Sequence, residues 1–354
     1  MAMKLDQYRL LGRSGLRVSP LSLGTMTFGV AQGEWGSTEA DASQMLGNYI
    51  DRGGNFVDTA NFYGQMGGSE TLLGRLLGDR RERVVLSTKY SLTTRPGDPN
   101  ASGNHRRNMV RAVEDSLRRL NTDYIDLFYL HMWDATTPVD EVLRGFDDLV
   151  RSGKIVYAGI SDTPAWRCSH MQGIADLRGW APFVALQISY SLIERTVERE
   201  LLPMALAMGM GVIPWSPLGG GVLSGKYTLE DLRPAAGGKM SSRKDINLAT
   251  GRLTDRNLEI AMVAAEIARE IECTPAQVAL AWTLLDPAVT SPVIGARTLA
   301  QFEDNMGALD VSFSDSQRDR LDTASKIELG FPHDMLAAPS NAMAFGNVKI
   351  EPRA

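Results

Sequence analysis

Four side chains in the first 131 residues have types and spacing that could do chemistry together. In "NFVDTANFYG" the apolar pair Phe56 and Val57 delivers a carboxylate, Asp58, and a phenol, Tyr63, follows five positions later. Neither residue serves a core well, because a buried Asp must be paired and a buried Tyr must satisfy its hydroxyl. Two further apolar runs end in the same way: "VVLSTKY" reaches Lys89 and "IDLFYLH" reaches His131, while "IVYAGIS" ends on Ser161. A phenol is a poor acid at neutral pH, with an ordinary pKa of ~10. A lysine ammonium ~4 Å away is worth about 4 kcal/mol at an effective dielectric of ~20, which lowers that pKa by up to roughly three units. Lys89 is the residue placed to do this, Asp58 to hold Lys89 charged, and His131 to donate a hydrogen bond to a carbonyl oxygen. The set is a proton relay aimed at a carbonyl, and it contains no nucleophile.

Such a relay works only if the elements carrying it converge. Short apolar runs lie at 21–28, 56–60, 84–90, 125–131, 155–161, 182–190, 210–218 and 292–296. Helical patterns separate them, for instance 104–120, with Asn104 able to cap it, and 137–153, ended by Gly153. Eight strands each followed by a helix predict a closed (β/α)8 barrel of the TIM type, in which chemistry sits at the C-terminal strand ends. The expected organisation is one barrel domain over 1–354: a hairpin at 8–20 covering one end, the barrel over 21–325 and a tail over 326–354. The Gly-, Ser- and Ala-rich stretch 227–254 reads as a long loop of the kind that forms lids.

Composition narrows the function. An apolar fraction of 44 % with 22 % charged residues builds an ordinary globular core. A net charge of −5 without a long basic run argues against a nucleic-acid partner and for a small molecule. No window reaches the ~18 apolar residues a membrane span requires, and the N-terminus lacks a signal core. Cys168 and Cys273 have no metal-ligand or disulfide spacing and read as packing residues, which suits the cytoplasm.

Each residue also has a plainer reading. Asp58 alone can be a helix cap, Tyr63 a packing ring, and His131 a histidine bonded to backbone. Lys89 is different, because an ammonium ending an apolar strand requires a counterion. "GGVLSGK" spaces Gly220, Gly225 and Lys226 almost as a phosphate loop, but Tyr227 stands where the magnesium-binding Ser or Thr is required. No segment completes G-x-G-x-x-G, and His105, His131, His170 and His333 have no paired metal spacing. Met204, Met208 and Met210 read as core, and Trp133, two positions beyond His131, as a wall of a substrate pocket.

The ordered segments "VDTANFYG", "STKY", "YLHMWD" and "AGIS" resemble the aldo-keto reductase family, and within it the potassium-channel β subunit-like branch, over roughly residues 8–325. The resemblance implies an Asp58, Tyr63, Lys89, His131 tetrad and a bound NADPH (NADP+) whose hydride attacks a small aldehyde or ketone. It further implies that Trp215 stacks on the nicotinamide while Ser161 and Gln187 bond its carboxamide. Gly24, Thr25 and Met26, with Asp58, would border the nicotinamide ribose. Ser216, Pro217, Leu218, Gly219, Gly220 and Gly221, with Lys226 and Tyr227, would line the pyrophosphate. At the far end, Gly295 and Arg297 would meet the 2′-phosphate, and Gln301, Asp304 and Asn305 the adenine. Asp162 stands where the family more often has Asn, so it can accept from the carboxamide but not donate. Two other functions share these residues: a Schiff-base aldolase using Lys89, and a cofactor-binding regulatory subunit with the same fold.

Overall fold

The computed structural model describes residues 3–29, 36–233 and 242–337, with positions 345, 346 and 348. Strands β1 (Arg9–Leu10) and β2 (Arg17–Val18) pair antiparallel as a hairpin. Eight more follow: β3 (Ser22–Gly24), β4 (Phe56–Asp58), β5 (Val85–Tyr90), β6 (Ile125–Leu130), β7 (Ile155–Ser161), β8 (Phe183–Ser189), β9 (Gly211–Trp215) and β10 (Val293–Ile294). All eight neighbours are parallel in the order β10-β3-β4-β5-β6-β7-β8-β9, and a parallel bridge from Val212 to Val289 brings the two edges together. The predicted (β/α)8 barrel is therefore present, with helices between its strands.

The two faces of each strand follow from a period of two. Val57, Leu86, Phe128, Ile160, Leu186 and Val212 face outward into clusters shared with the helices. Phe56, Val85, Leu127, Tyr129, Val184, Ala185 and Ile213 face inward, and with Leu11 and Val18 of the hairpin they fill the N-terminal end of the barrel. Gly159 is required at this layer, since a Cβ there would lie 2.5 Å from the Tyr129 ring.

Several boundaries differ from expectation. The first, seventh and eighth strands are shorter than their apolar runs, and the chain turns soon after the first two of these, where the Phe28 N–H bonds the Thr25 carbonyl and the Gly219 N–H the Ser216 carbonyl. Helix Arg106–Leu120 is capped by His105, whose ring accepts from the Asn108 N–H, and not by Asn104. Asn104 is buried and exchanges bonds with Asp134 and Met132, tying the loop after β5 to the loop after β6. Helix Val139–Arg151 ends as expected, with Gly153 at a φ of +73°. The stretch 227–254 is not one irregular loop: it contains a short 3₁₀ turn, Leu229–Leu232, and helix Arg243–Ala249, both with capping boxes. Its residues 234–241 lie outside the described residues, as does most of the tail beyond helix His333–Ala337. No helix among the described residues is long and apolar enough to cross a membrane.

Gly12, in the hairpin turn, adopts a φ of +53° and sits so close to the barrel that a Cβ would meet the Gly209 and Val184 carbonyls at 2.4 Å. Backbone atoms cannot yield as a flexible side chain does. Gly12→Ala is expected to cost about 2 kcal/mol or more, whereas Gly15→Ala, with nothing within 4 Å, should be nearly neutral. Thermal denaturation of both variants checks this, and equal melting temperatures would mean that the hairpin does not seat on the barrel.

Candidate active site

The alternation that buries Phe56, Val85 and Tyr129 also fixes what the strands present above them. Two residues on from each inward apolar side chain come Asp58 on β4, Ser87 and then Lys89 on β5, His131 after β6, Gln187 on β8 and Trp215 on β9, with Ser161 closing β7. The register aligns them, pairing Asp58 with Ser87, Lys89 with Tyr129, and Ser161 with Gln187. All face the C-terminal mouth, the end opposite the hairpin.

At the base lies a buried ion pair. Lys89 Nζ donates to Asp58 Oδ2 at 2.6 Å and to the Thr59 carbonyl at 2.7 Å, and its third contact is the Tyr63 hydroxyl at 3.4 Å. Asp58 Oδ1 accepts from Ser87 Oγ at 2.7 Å and from Gln187 Nε2 at 3.0 Å. Burial pulls the Lys89 pKa down, but Asp58 and then Tyr63 outweigh it, so the ammonium is held above its ordinary value. For Tyr63 the balance is reversed. Burial is the larger effect and raises the phenol, while Lys89 opposes it. The expected pull by Lys89 thus has the right sign, but it does not bring the phenol below its ordinary value. A neutral, protonated phenol is the state a proton donor needs, and the adjacent ammonium would stabilise a phenolate at this position. His131 meets Tyr63 edge-on, ring centroids 5.8 Å apart, and its buried Nδ1 has no partner. Burial, and then the Lys89 charge, drive its pKa down to about 3. The imidazole is therefore neutral and fitted to donate a hydrogen bond, not a proton.

Tyr63 begins helix Tyr63–Leu77, but the next four residues are not helical: Gly64, Gln65, Met66 and Gly67 have φ of 64°, 60°, 68° and 117°. Gln65 and Met66 carry side chains in the left-handed region, a strained arrangement that sets the direction of the phenol. Just beyond, Glu70 is buried and clamped by Thr88 Oγ1 at 2.6 Å and Arg119 Nε at 2.7 Å, which fixes this turn to β5 and to helix Arg106–Leu120.

The rim brings the other candidates together. Asp162, with a φ of +38°, accepts from the Trp215 indole N–H at 3.0 Å, and its carbonyl accepts from the Trp133 N–H at 3.4 Å. Asp162 therefore holds the indole. Ser161 Oγ, at the end of β7, is buried and has no hydrogen-bond partner among the described residues, so its donor and acceptor are uncommitted within the protein. A cleft of about 230 Å³ runs on from Trp215 and Ser216 past Gly219 to Arg252. Gly219, Gly220 and Gly221 have φ of +57°, +68° and +89°, and a Cβ on Gly220 would strike Asn247 Oδ1 at 2.4 Å. Asn247 donates in return to the Gly220 carbonyl, so helix Arg243–Ala249 lies directly on this loop.

Other expected residues are placed differently. Thr25 is buried, its hydroxyl spent on the Asp58 carbonyl and Ser69. The Gln187 amide is turned to Asp58. Gln301 accepts from the Arg297 N–H, and Asp304 is bound by Gln277 and Thr274, so both are committed within the protein. Arg297 makes no ion pair among the described residues, and neither do Lys226 and Arg252. Lys226 is pulled below its ordinary pKa by burial and then by Arg297 and Arg243, and Arg243 by burial and then by Arg252. Like charges held together in this way make a subsite for an anion. Arg243 and Arg252 were missed in the sequence because they lie in an aperiodic stretch. The basic residues of 226–252 were the available signal.

An eight-stranded barrel with a buried Lys-Asp pair beneath a phenol, an aromatic wall and an anion subsite defines the class: a cofactor-binding oxidoreductase barrel. Comparison with known proteins agrees. The chain belongs to the aldo/keto reductase family, whose profile matches residues 20–326. It is 37 % identical over 342 residues to a norsolorinic acid reductase of Aspergillus flavus, covering 94 % of this chain and 84 % of the relative. To the uncharacterized oxidoreductase YrpG of Bacillus subtilis it is 39 % identical over 317 residues, covering 86 % and 92 %. To the aldo-keto reductase ausK of Aspergillus calidoustus it is 34 % identical over 351 residues, covering 94 % and 85 %. It is an NAD(P)H-dependent oxidoreductase, and the open Ser161 hydroxyl, the glycine cradle and the basic cluster fit such a cofactor.

The low pKa of His131 has a measurable cost. Between about 3 and the ordinary 6.5 the unfolded chain binds a proton that the folded chain refuses. The stability from a neutral His131 is therefore complete above pH 6.5 and is lost as pH falls towards 3. Urea denaturation at stepped pH should show the parent losing stability relative to His131→Gln below pH 6.5, and a difference that stays constant down to pH 4 would refute the assignment.

Proposed function

We propose that the protein reduces aldehydes or ketones to alcohols with NADPH, using Tyr63 as general acid. The observation that carries this reading is the Lys89 ammonium, fixed by Asp58 at 2.6 Å and directed at the Tyr63 hydroxyl at 3.4 Å in a buried mouth. The bound cofactor supplies the hydride. The chain's residues supply everything else: Tyr63 gives its proton to the carbonyl oxygen, Lys89 stabilises the phenolate, and neutral His131 orients the oxygen by hydrogen bonding. Trp215, held by Asp162, offers a flat face for the nicotinamide, and Ser161 its hydroxyl. Lys226, Arg243, Arg252 and Arg297 receive the phosphates, which favours NADPH over NADH. The names of the fungal relatives, as reductases, are consistent with this direction of reaction. Placement in the potassium-channel β subunit-like branch and in the cytoplasm belongs to the same reading and rests on the motif resemblance and the cysteine pattern.

The aldolase alternative requires a neutral Lys89, which the raised pKa opposes. Borohydride trapping with substrate would detect an imine on Lys89. A purely regulatory role is separated by turnover: NADPH consumption across a panel of aldehydes and ketones is expected, and its absence with all of them would defeat the reductase reading.

Tyr63→Phe should abolish reduction while leaving cofactor affinity nearly unchanged, because it removes only the proton donor. Near-parental turnover in this variant would mean that the phenol is not the acid.

A fork of guanidinium donors matches a phosphate in charge and geometry. Arg297→Ala and Arg243→Ala are each expected to weaken NADPH by about tenfold to a hundredfold, with little change for NADH. Titration by tryptophan quenching tests this, and equal losses for both cofactors would place these arginines away from the 2′-phosphate.

A further inference from the structure

Across the mouth from the phosphate cluster lies a cation that the proposed reaction does not use. The Arg167 guanidinium lies against two indoles, with its carbon 5.1 Å from the Trp133 ring centre and 4.1 Å from that of Trp166. Among the described residues its side chain makes no hydrogen bond or ion pair, and its Nε is buried without a partner. Its position in the chain is also unfavourable. Arg167 lies in the first turn of helix Ala165–Arg178, which carries no acidic residue there, so the charge opposes the positive end of the helix dipole.

This Arg-indole cluster borders the reacting end of the site. Trp133 stands two residues beyond His131, its N–H bonds the Asp162 carbonyl, and Asp162 holds Trp215. Trp166 is 63 % exposed, leaving an indole face open to solvent at the rim. The two rings lie within cation–π distance of the guanidinium, and no protein acceptor among the described residues takes its N–H donors. Those donors form a fork matched to a planar anion with two oxygens.

We propose that Arg167, lying against Trp133 and Trp166, is a substrate-recognition site for a carboxylate, so that the preferred substrates are aromatic carbonyl compounds carrying that group. This rests on the reductase reading and adds a substrate class to it. The carboxylate takes the guanidinium donors, the aromatic body lies against the indoles, and the carbonyl at the other end reaches Tyr63 and His131.

Steady-state kinetics with 4-carboxybenzaldehyde and its neutral methyl ester test the proposal in the parent, Arg167→Gln and Arg167→Lys, with melting temperatures to verify folding. The parent should favour the carboxylate by about tenfold or more in kcat/KM, through KM. In Arg167→Gln that ratio should collapse towards one, and Arg167→Lys, which keeps the charge but loses the fork, should recover only part of it. A parent ratio at or below one, or a ratio unchanged in Arg167→Gln, overturns the proposal. If no carbonyl compound consumes NADPH, the reductase reading itself has failed. Calorimetric titration with terephthalate then decides the site alone: binding that is lost in Arg167→Gln supports it, and no binding, or equal binding, refutes it.

Discussion

The Lys89–Asp58 pair is the constraint on which the site is built. Taking an ammonium out of water costs several kcal/mol, and the barrel recovers it only by giving the group a full set of partners. Three donors meet a carboxylate, a carbonyl and a phenol, and the carboxylate's other oxygen is bound by Ser87 and Gln187. Because those partners come from β4, β5 and β8, the pair ties opposite sides of the barrel together at the height of the reacting groups. It also sets the neighbouring charges. The same ammonium that would stabilise a phenolate on Tyr63 keeps a second positive charge off His131.

Two kinds of electrostatic work are separated in space. Around Lys89 every charge is matched, which favours a fixed geometry. Around Lys226, Arg243, Arg252 and Arg297 like charges gather, and burial first and their repulsion second hold Lys226 and Arg243 below their ordinary pKa. A chain of net charge −5 has concentrated cations where helix Arg243–Ala249 meets the glycine loop. An anion bound there would relieve the repulsion, so its binding would also add to the stability of the fold.

Asp58, Lys89, His131 and Ser161 were legible in the sequence because an ionisable or polar residue closing an apolar strand is conspicuous, and a period of two places all of them on one face. The barrel followed from the same alternation. Less legible were features that depend on what faces what. Burial around Tyr63 outweighs Lys89, and no spacing reveals how dry a hydroxyl is. Gln187 sits at the expected strand position but turns its amide to Asp58, a choice made by a carboxylate on a strand four places away in the sheet order. His105 took the cap predicted for Asn104 because Asn104 was drawn into bonds with the neighbouring loop. Arg243 and Arg252 follow no period at all, and only the folding of their segment over Gly220 gives them a place.

The hairpin's contribution reaches beyond stability. Leu11 and Val18 join the packed inward layer that closes the barrel at the end away from Tyr63, which leaves the C-terminal mouth as the side from which the site is reached. On the proposed reaction, a cofactor lying along the strand ends would be seated before a carbonyl compound covers it, the alcohol would leave before the cofactor is exchanged, and the proton given by Tyr63 would return by the same opening. A two-strand cover on the far side of the molecule thereby helps to confine arrivals and departures to one face, at a site it never touches.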